Sequence, residues 1–392
     1  MTGRAHRRLS SVAMQGESDL NGSDVVVSPD RPRIGLAVVG AGYWGPNLAR
    51  NAQATPDLKL EYLCDLDVGR ARSVVGDYST VRVVGSFEEV LADPAVSAVA
   101  IATPAASHYK VAMAALEAGK HVLVEKPLAP SFAEGAELVE AADRYGRVLM
   151  LDHTYCYTQA VGYLRDLIRD GELGDLQYLD SVRINLGLVQ RDVDVLWDLA
   201  PHDLSIFQSI LPDGVHPVAV AAHGSDPVRA GRACIVYLTL RLSNAVIAHV
   251  HVNWLSPTKI RKMVIGGSAR TVVWDDLEPL QRLSVYDRGV ECADPEQLGV
   301  DGRAATMVSY RTGDMVAPAL QDKEALRAVM GEFADAINES RRPLTDGRSG
   351  LQVLAMLEAA SVSLAGGGEF VPVREVPAPT SDAVRPREAV RV

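Results

Sequence analysis

From residue 33 the chain alternates short, solidly apolar runs with amphipathic stretches. RIGLAVVG (33–40) is apolar almost throughout and ends in glycine, as a strand covered on both faces would. GPNLARNAQAT follows as a helix, with Pro46 in the first turn, where a missing N–H has no intrahelical partner to lose. KLEYLCDLD (59–67), VRVVG (81–85), VSAVAIATP (96–104), HVLVEKP (121–127) and RVLMLDHTY (147–155) read as further strands. Between them SFEEVLAD, ASHYKVAMAALEAGK and SFAEGAELVEAADRYG carry apolar residues at helical spacing, the second closed by Gly119. Strands and helices alternating at these lengths predict a doubly wound, mostly parallel sheet.

After the helix around AVGYLRDLIRDGELG the pattern changes. LQYLDSVRINLG, PVAVAAHG, ACIVYLTLRLS, AVIAHVHVNWLS, IRKMVIGGSARTVVWD and QRLSVYDRGVE are longer strands with few helices between them. They predict a large, mostly antiparallel, open-faced sheet, with EALRAVMGEFADAINES and GRSGLQVLAMLEAASVSLAG as two closing helices. The expected division is α/β over 32–153 and α+β over 154–373. Residues 1–31 and 374–392 have the composition of disordered tails.

The bulk numbers narrow the classes. A chain of 392 residues, 47% hydrophobic, can bury a core in two domains. Its net charge of −11 argues against nucleic acid and against an anionic membrane as partners. Arg7-Arg8 is followed by no apolar h-region, and no run is long enough to cross a bilayer, so a cytoplasmic protein is expected. Cys64, Cys156, Cys234 and Cys292 stand far apart and read as reduced, buried thiols, with no metal site expected.

The first candidate chemistry is GAGYWG (40–45). Gly40, Gly42 and Gly45 have the G-x-G-x-x-G spacing, and the motif lies between a strand and a helix, as a dinucleotide-binding Rossmann turn requires. Tyr43 and Trp44 ride on that turn, and the helix start faces the pyrophosphate with its positive end. Asp65 closes the second strand, where a carboxylate accepts from both ribose hydroxyls and repels a 2′-phosphate. NAD is therefore favoured, with NADP left open by the nearby Arg70.

GAGYWGPNLARN, CDLDVGRA, IATPAASHYKVAMAALEAGKHVLVEKPLA and WDLAPHDLSI together resemble the Gfo/Idh/MocA oxidoreductases, named for glucose–fructose oxidoreductase and inositol dehydrogenase. The resemblance spans roughly residues 33–373 and looks nearest to the nucleotide-sugar 3-dehydrogenases. It implies that Lys126, within Glu125-Lys126-Pro127, reaches the reacting hydroxyl and the nicotinamide ribose. It also implies that Asp198 and His202 line the same pocket, and that Thr103, Pro104 and His108 flank the cofactor. Tyr155 and Tyr157 match aromatic positions of the family's H-x-F-x-Y-N-P pattern, whose Asn and Pro are replaced here by Thr158 and Gln159. By the same resemblance the stretch with Asn185, Arg191 and Asp194 faces the substrate, and Arg191 is the candidate for a uronate carboxylate or diphosphate.

The residues themselves agree with that placing. Asp198 and His202 are four apart and share one helix face, with Pro201 tolerated if the helix starts near Asp198. Alcohol oxidation by hydride transfer needs a base for the hydroxyl proton. His202 is the preferred base, with Asp198 to orient or tune it; Lys126 is the group that meets charge on the oxygen or, if burial lowers its pKa, the base itself. A plain N-cap is the alternative for Asp198, while Asp203 is assigned to structure behind the pocket. The expected function is an NAD-dependent dehydrogenase acting at C3 of a nucleotide-activated sugar. A 3-ketosugar reductase, an inositol or free-sugar dehydrogenase, and a dinucleotide-sensing protein are the alternatives. An exposed face on the second sheet predicts a homodimer or homotetramer through it.

Overall fold

The computed structural model describes residues 32–77, 79–190, 193–292 and 308–376. The expected N-terminal tail, nearly all of the C-terminal tail and Arg191 lie outside them. The first sheet is built from β1 (Ile34–Val39), β2 (Leu58–Cys64), β3 (Arg82–Val84), β4 (Ala98–Ile101), β5 (His121–Glu125) and β6 (Leu149–Asp152). All pair in parallel in the order β3-β2-β1-β4-β5-β6, so the order turns back at β1/β4, where such sheets bind ligands. The crossovers are α1 (Gly45–Ala54), α2 (Val68–Val75), α3 (Phe87–Ala92), α4 (His108–Glu117) and α5 (Phe132–Tyr145). β1 and β4 are buried at every position, which is why they carry no polar alternation.

The second half opens with α6 (Gln159–Arg169), β7 (Leu176–Leu186) and α7 (Val195–Ile210). A meander follows: β8 (Pro217–Ser225), β9 (Ile235–Leu242), β10 (Ile247–Asn253), β11 (Leu255–Gly267), β12 (Thr271–Asp275), β13 (Leu283–Cys292) and β14 (Val308–Val316). The chain ends in α8 (Ala325–Asn338), α9 (Gly347–Ala365) and β15 (Val371–Pro372). These strands run β14-β13-β12-β11-β7-β10-β9-β8-β15, antiparallel except where β10 lies parallel to β7. In β9 and β10 buried positions alternate with open ones, because helices cover one face only.

The boundary near residue 154 separates the sheets but not the cores. Leu326, Val329, Met330 and Phe333 of α8 pack with Leu36, Val38, Leu48 and Ala52, so α8 belongs to the first sheet. On that sheet's other face one continuous cluster runs from Val99 and Ile101 through α9 and α7 to Val250 and Met263. The expected C-terminal tail also begins too early: Arg374 lies over the Phe132 ring, 4.6 Å from its centre, and Val376 packs against the core. Among the described residues no helix is long and apolar enough to cross a membrane.

Candidate active site

The glycine turn leaves β1 and enters α1. Gly40 has φ +99, and a Cβ there would stand 2.6 Å from the Ala102 carbonyl oxygen. A Cβ on Gly45 would meet the Gly40 carbonyl oxygen at 1.9 Å, so both positions need glycine for the chain to close on itself. At Gly42 nothing lies within 4 Å, which leaves that backbone open to a ligand. No side chain caps α1 and its first turn holds no acid, so the positive helix end is unopposed. These features fit a dinucleotide pyrophosphate.

Asp65 closes β2 as expected. Its Oδ2 accepts from the Ala41 amide at 2.5 Å, and its Oδ1 accepts from the Asp67 amide and from Arg70 Nη2, both at 2.7 Å. Burial works to raise its pKa, but these three donors hold it below the usual carboxylate value. Arg70 therefore belongs to the acid's own support. Tyr43 is 94% exposed and stacks on Trp44, whose indole donates to Asp152 Oδ2 at 2.8 Å. Beyond β4, His108 is buried, with Nδ1 2.7 Å from the Pro127 carbonyl oxygen and Nε2 2.8 Å from that of Thr103. Burial lowers its pKa, so the neutral ring donates its one N–H to one of these carbonyls while lying between the Thr103-Pro104 turn and the segment that carries Lys126.

Lys126 follows β5 directly. Its Nζ donates to the Asp198 carbonyl at 2.8 Å and stands 3.3 Å from Asp198 Oδ1. Trp254 Nε1 holds Asp198 Oδ2 at 3.0 Å. Asp198 is therefore the anchor of Lys126, and it does not orient His202 as expected. It is not the N-cap either. Asp194 caps α7, accepting from the Trp197 amide at 3.0 Å, while its carbonyl takes the Asp198 amide. The helix starts three residues earlier than expected and Pro201 lies in its interior, so the first-turn amides near Asp198 are already in use.

His202 lies one turn on, edge to face with Tyr155 at 5.1 Å between ring centres. The residue is partly exposed, but Nδ1 is sealed without a partner. Burial, then the charges of Lys126 and Arg183, keep its pKa well below the ordinary imidazole value, so the ring is neutral. Asp203, behind it, accepts from Ser181 at 2.7 Å and from Arg183 at 2.7 and 3.1 Å, all buried. Asn185 lies near Trp254, since a Cβ on Gly187 would stand 3.0 Å from its Nδ2 and 3.2 Å from the indole ring. Tyr157 does not join the pocket. Its hydroxyl pairs with Thr345 Oγ1 at 2.9 Å, and its ring packs on the core beside α8.

Glu125 faces Asp152 across the β5–β6 pair, and its Oε2 is enclosed without a partner. Burial and the neighbouring acid push its pKa up to about 8. His153, fully buried, has neither ring nitrogen paired, and burial with the charge of Lys126 pulls its pKa down to about 3. Sequence reasoning missed Trp254 and Asp152, and gave no pocket role to the buried arginine of β7. The available signals were a tryptophan closing a strand in VNWLS and an acid ending the apolar run LML.

Comparison with known proteins follows this geometry. The model of an oxidoreductase family with an NAD-binding Rossmann fold, GFO/IDH/MocA, matches residues 34–153, and the GFO/IDH/MocA C-terminal domain matches residues 161–273. A UDP-N-acetylglucosamine 3-dehydrogenase from Acidithiobacillus ferrooxidans is 29% identical over 319 residues, 81% of this chain and 93% of that protein. A solved structure of that enzyme, GnnA, has a TM-score of 0.70 at 28% identity and covers 86% of this chain and 99% of its own. GenD2 from gentamicin A biosynthesis, in complex with NAD, shares the fold with a TM-score of 0.73 at 24% identity, over 92% of this chain and 100% of its own. The chain belongs to the Gfo/Idh/MocA family and is an NAD(P)-dependent oxidoreductase.

Proposed function

We propose that this enzyme oxidises a secondary hydroxyl, at C3, of a nucleotide-activated sugar. The observation that carries the reading is Lys126, held by Asp198 at the end of β5, with neutral His202 one helical turn away. The similar UDP-N-acetylglucosamine 3-dehydrogenase supports the substrate class. The glycine turn and Asp65 would hold the dinucleotide, which would supply the hydride acceptor when bound. Lys126 meets the hydroxyl oxygen and stabilises the charge that builds there as the hydride leaves. His202, neutral at working pH, takes the proton.

Glu125, its pKa raised by burial, and the hydrogen-bonded Asp152 lie beside Lys126, where cradle and pocket meet. The same groups serve the reverse reduction. In Lys126→Ala and His202→Ala, reduction of NAD by UDP-N-acetylglucosamine or its 6-uronate should fall by about 10²–10⁴-fold. Unchanged rates in both variants would refute the assignment. The open face of the second sheet, with Tyr237 stacked on His251 at 4.2 Å, favours a homodimer or homotetramer. Light scattering that returned a monomer would remove that part. Buried free thiols at Cys64, Cys156 and Cys234 suit a cytoplasmic setting.

A further inference from the structure

Arg183 on β7 and Arg261 on β11 stand directly opposite one another in register. Opposed residues on antiparallel strands share a face, and two like charges there repel. Both guanidiniums lie over the Tyr155 ring, at 4.5 and 5.9 Å from its centre. Tyr155 in turn meets His202 edge on, so this charged pair borders the pocket.

The fold pairs the two unequally. Arg183 is sealed and makes two hydrogen bonds to Asp203. Arg261 keeps about a third of its side chain exposed, and its nearest acid oxygen, on Asp276, is 3.5 Å away, too far for a strong charge-assisted bond. The other cation of the pocket, Lys126, is already held by Asp198. The indole N–H of Trp274, packed against Tyr155 at 6.2 Å, is a further buried donor without a partner. A planar fork of donors thus borders the pocket with its own acid only loosely engaged.

We propose that Arg261 binds an anionic oxygen group of the substrate, a carboxylate or a diphosphate, and so sets a preference for charged sugars. This deepens the dehydrogenase reading above and rests on it for the identity of the pocket. Arg183 and Asp203 hold Tyr155 in place beneath the substrate, and Arg261 reads its charge.

The test uses full-length enzyme loaded with NAD. Calorimetric affinity and steady-state NADH formation are measured for UDP-N-acetylglucosamine, its 6-uronate, glucuronate and N-acetylglucosamine. In Arg261→Met, Kd and KM for the charged ligands should rise about 10–100-fold, kcat should stay within about threefold, and the neutral sugar should be unaffected. Arg261→Lys should recover part of the loss, since charge returns without the fork. A loss confined to glucuronate and the uronate names a carboxylate, and a loss confined to the UDP sugars names the diphosphate.

Equal losses for charged and neutral sugars, or a fall in kcat with KM unchanged, would overturn the proposal. Binding that depends on Arg261 without any turnover would sink the dehydrogenase reading and leave the anion site standing. Failure of the wild-type enzyme to bind any charged sugar would sink both. Thermal melting of each variant separates misfolding from these outcomes.

Discussion

The dinucleotide cradle and the substrate pocket meet at Lys126 and are built in opposite ways. In the cradle the polar groups satisfy one another. Asp65 takes two backbone amides and Arg70, and Asp152 takes Trp44 and Thr154. In the pocket His202 Nδ1, both nitrogens of His153, Glu125 Oε2 and Trp274 Nε1 are buried without partners among the described residues. A polar group left without a hydrogen bond in the interior costs about 1–3 kcal/mol. The named side chains of the cradle are held mainly by one another, whereas the buried polar atoms around the pocket have few protein partners.

Breaking the junction should have the largest effect. Lys126→Met should lower kcat by about 10³–10⁴-fold while NAD affinity stays within about threefold, followed by NADH absorbance and calorimetry. A parallel collapse of NAD affinity would assign Lys126 to the cradle instead. Asp203→Asn strands a buried guanidinium and should cost about 3–5 kcal/mol of stability in denaturant unfolding. A change below about 1 kcal/mol would show that the pocket floor does not depend on that pair.

On the cradle side, Asp65→Ser loses two amide contacts and the arginine's partner. It should weaken NAD binding by about 10–100-fold and narrow the gap to NADP. The next effect is a pH slope. His153 stays neutral in the fold down to about pH 3, whereas in the unfolded chain it takes a proton near the ordinary 6.5. The unfolded state then binds more protons, so stability falls as pH drops from 6.5 toward 3, by about 1.4 kcal/mol per unit from this residue. His153→Asn should flatten that slope and leave the pH dependence above pH 7.5 unchanged, whatever its pH-independent effect on stability. Smallest of all, Arg50→Ala removes an exposed bridge to Glu324 and should shift stability by less than about 1 kcal/mol.

How legible each region was follows from how local it is. The strand–helix–strand unit that carries Gly40, Gly42, Gly45 and Asp65 could be read because its spacing is local. The antiparallel sheet was readable for the same reason, since alternation reports burial on one face. The partners of Lys126 and Asp198 were half legible. Their presence showed in the sequence, but which atoms meet depends on Trp254 and on a helix that starts at an unrecognised cap, Asp194. The opposition of Arg183 and Arg261 depends on the register of two strands far apart in the chain, which no local pattern encodes. The docking of α8 on the first sheet was hidden too, because an amphipathic helix announces an apolar face but not its destination.

The single apolar cluster that runs from β4 through α9 and α7 into the second sheet has a further consequence. A hinge between the two halves would have to open that cluster to water, at about 25 cal/mol for every Å² exposed. The spacing of cradle and pocket is therefore held by a shared core that resists being pulled apart. For an engineer this means that the halves are not exchangeable modules. New specificity has to come from the side chains lining the cleft, and a graft cut at residue 154 would tear one core in two.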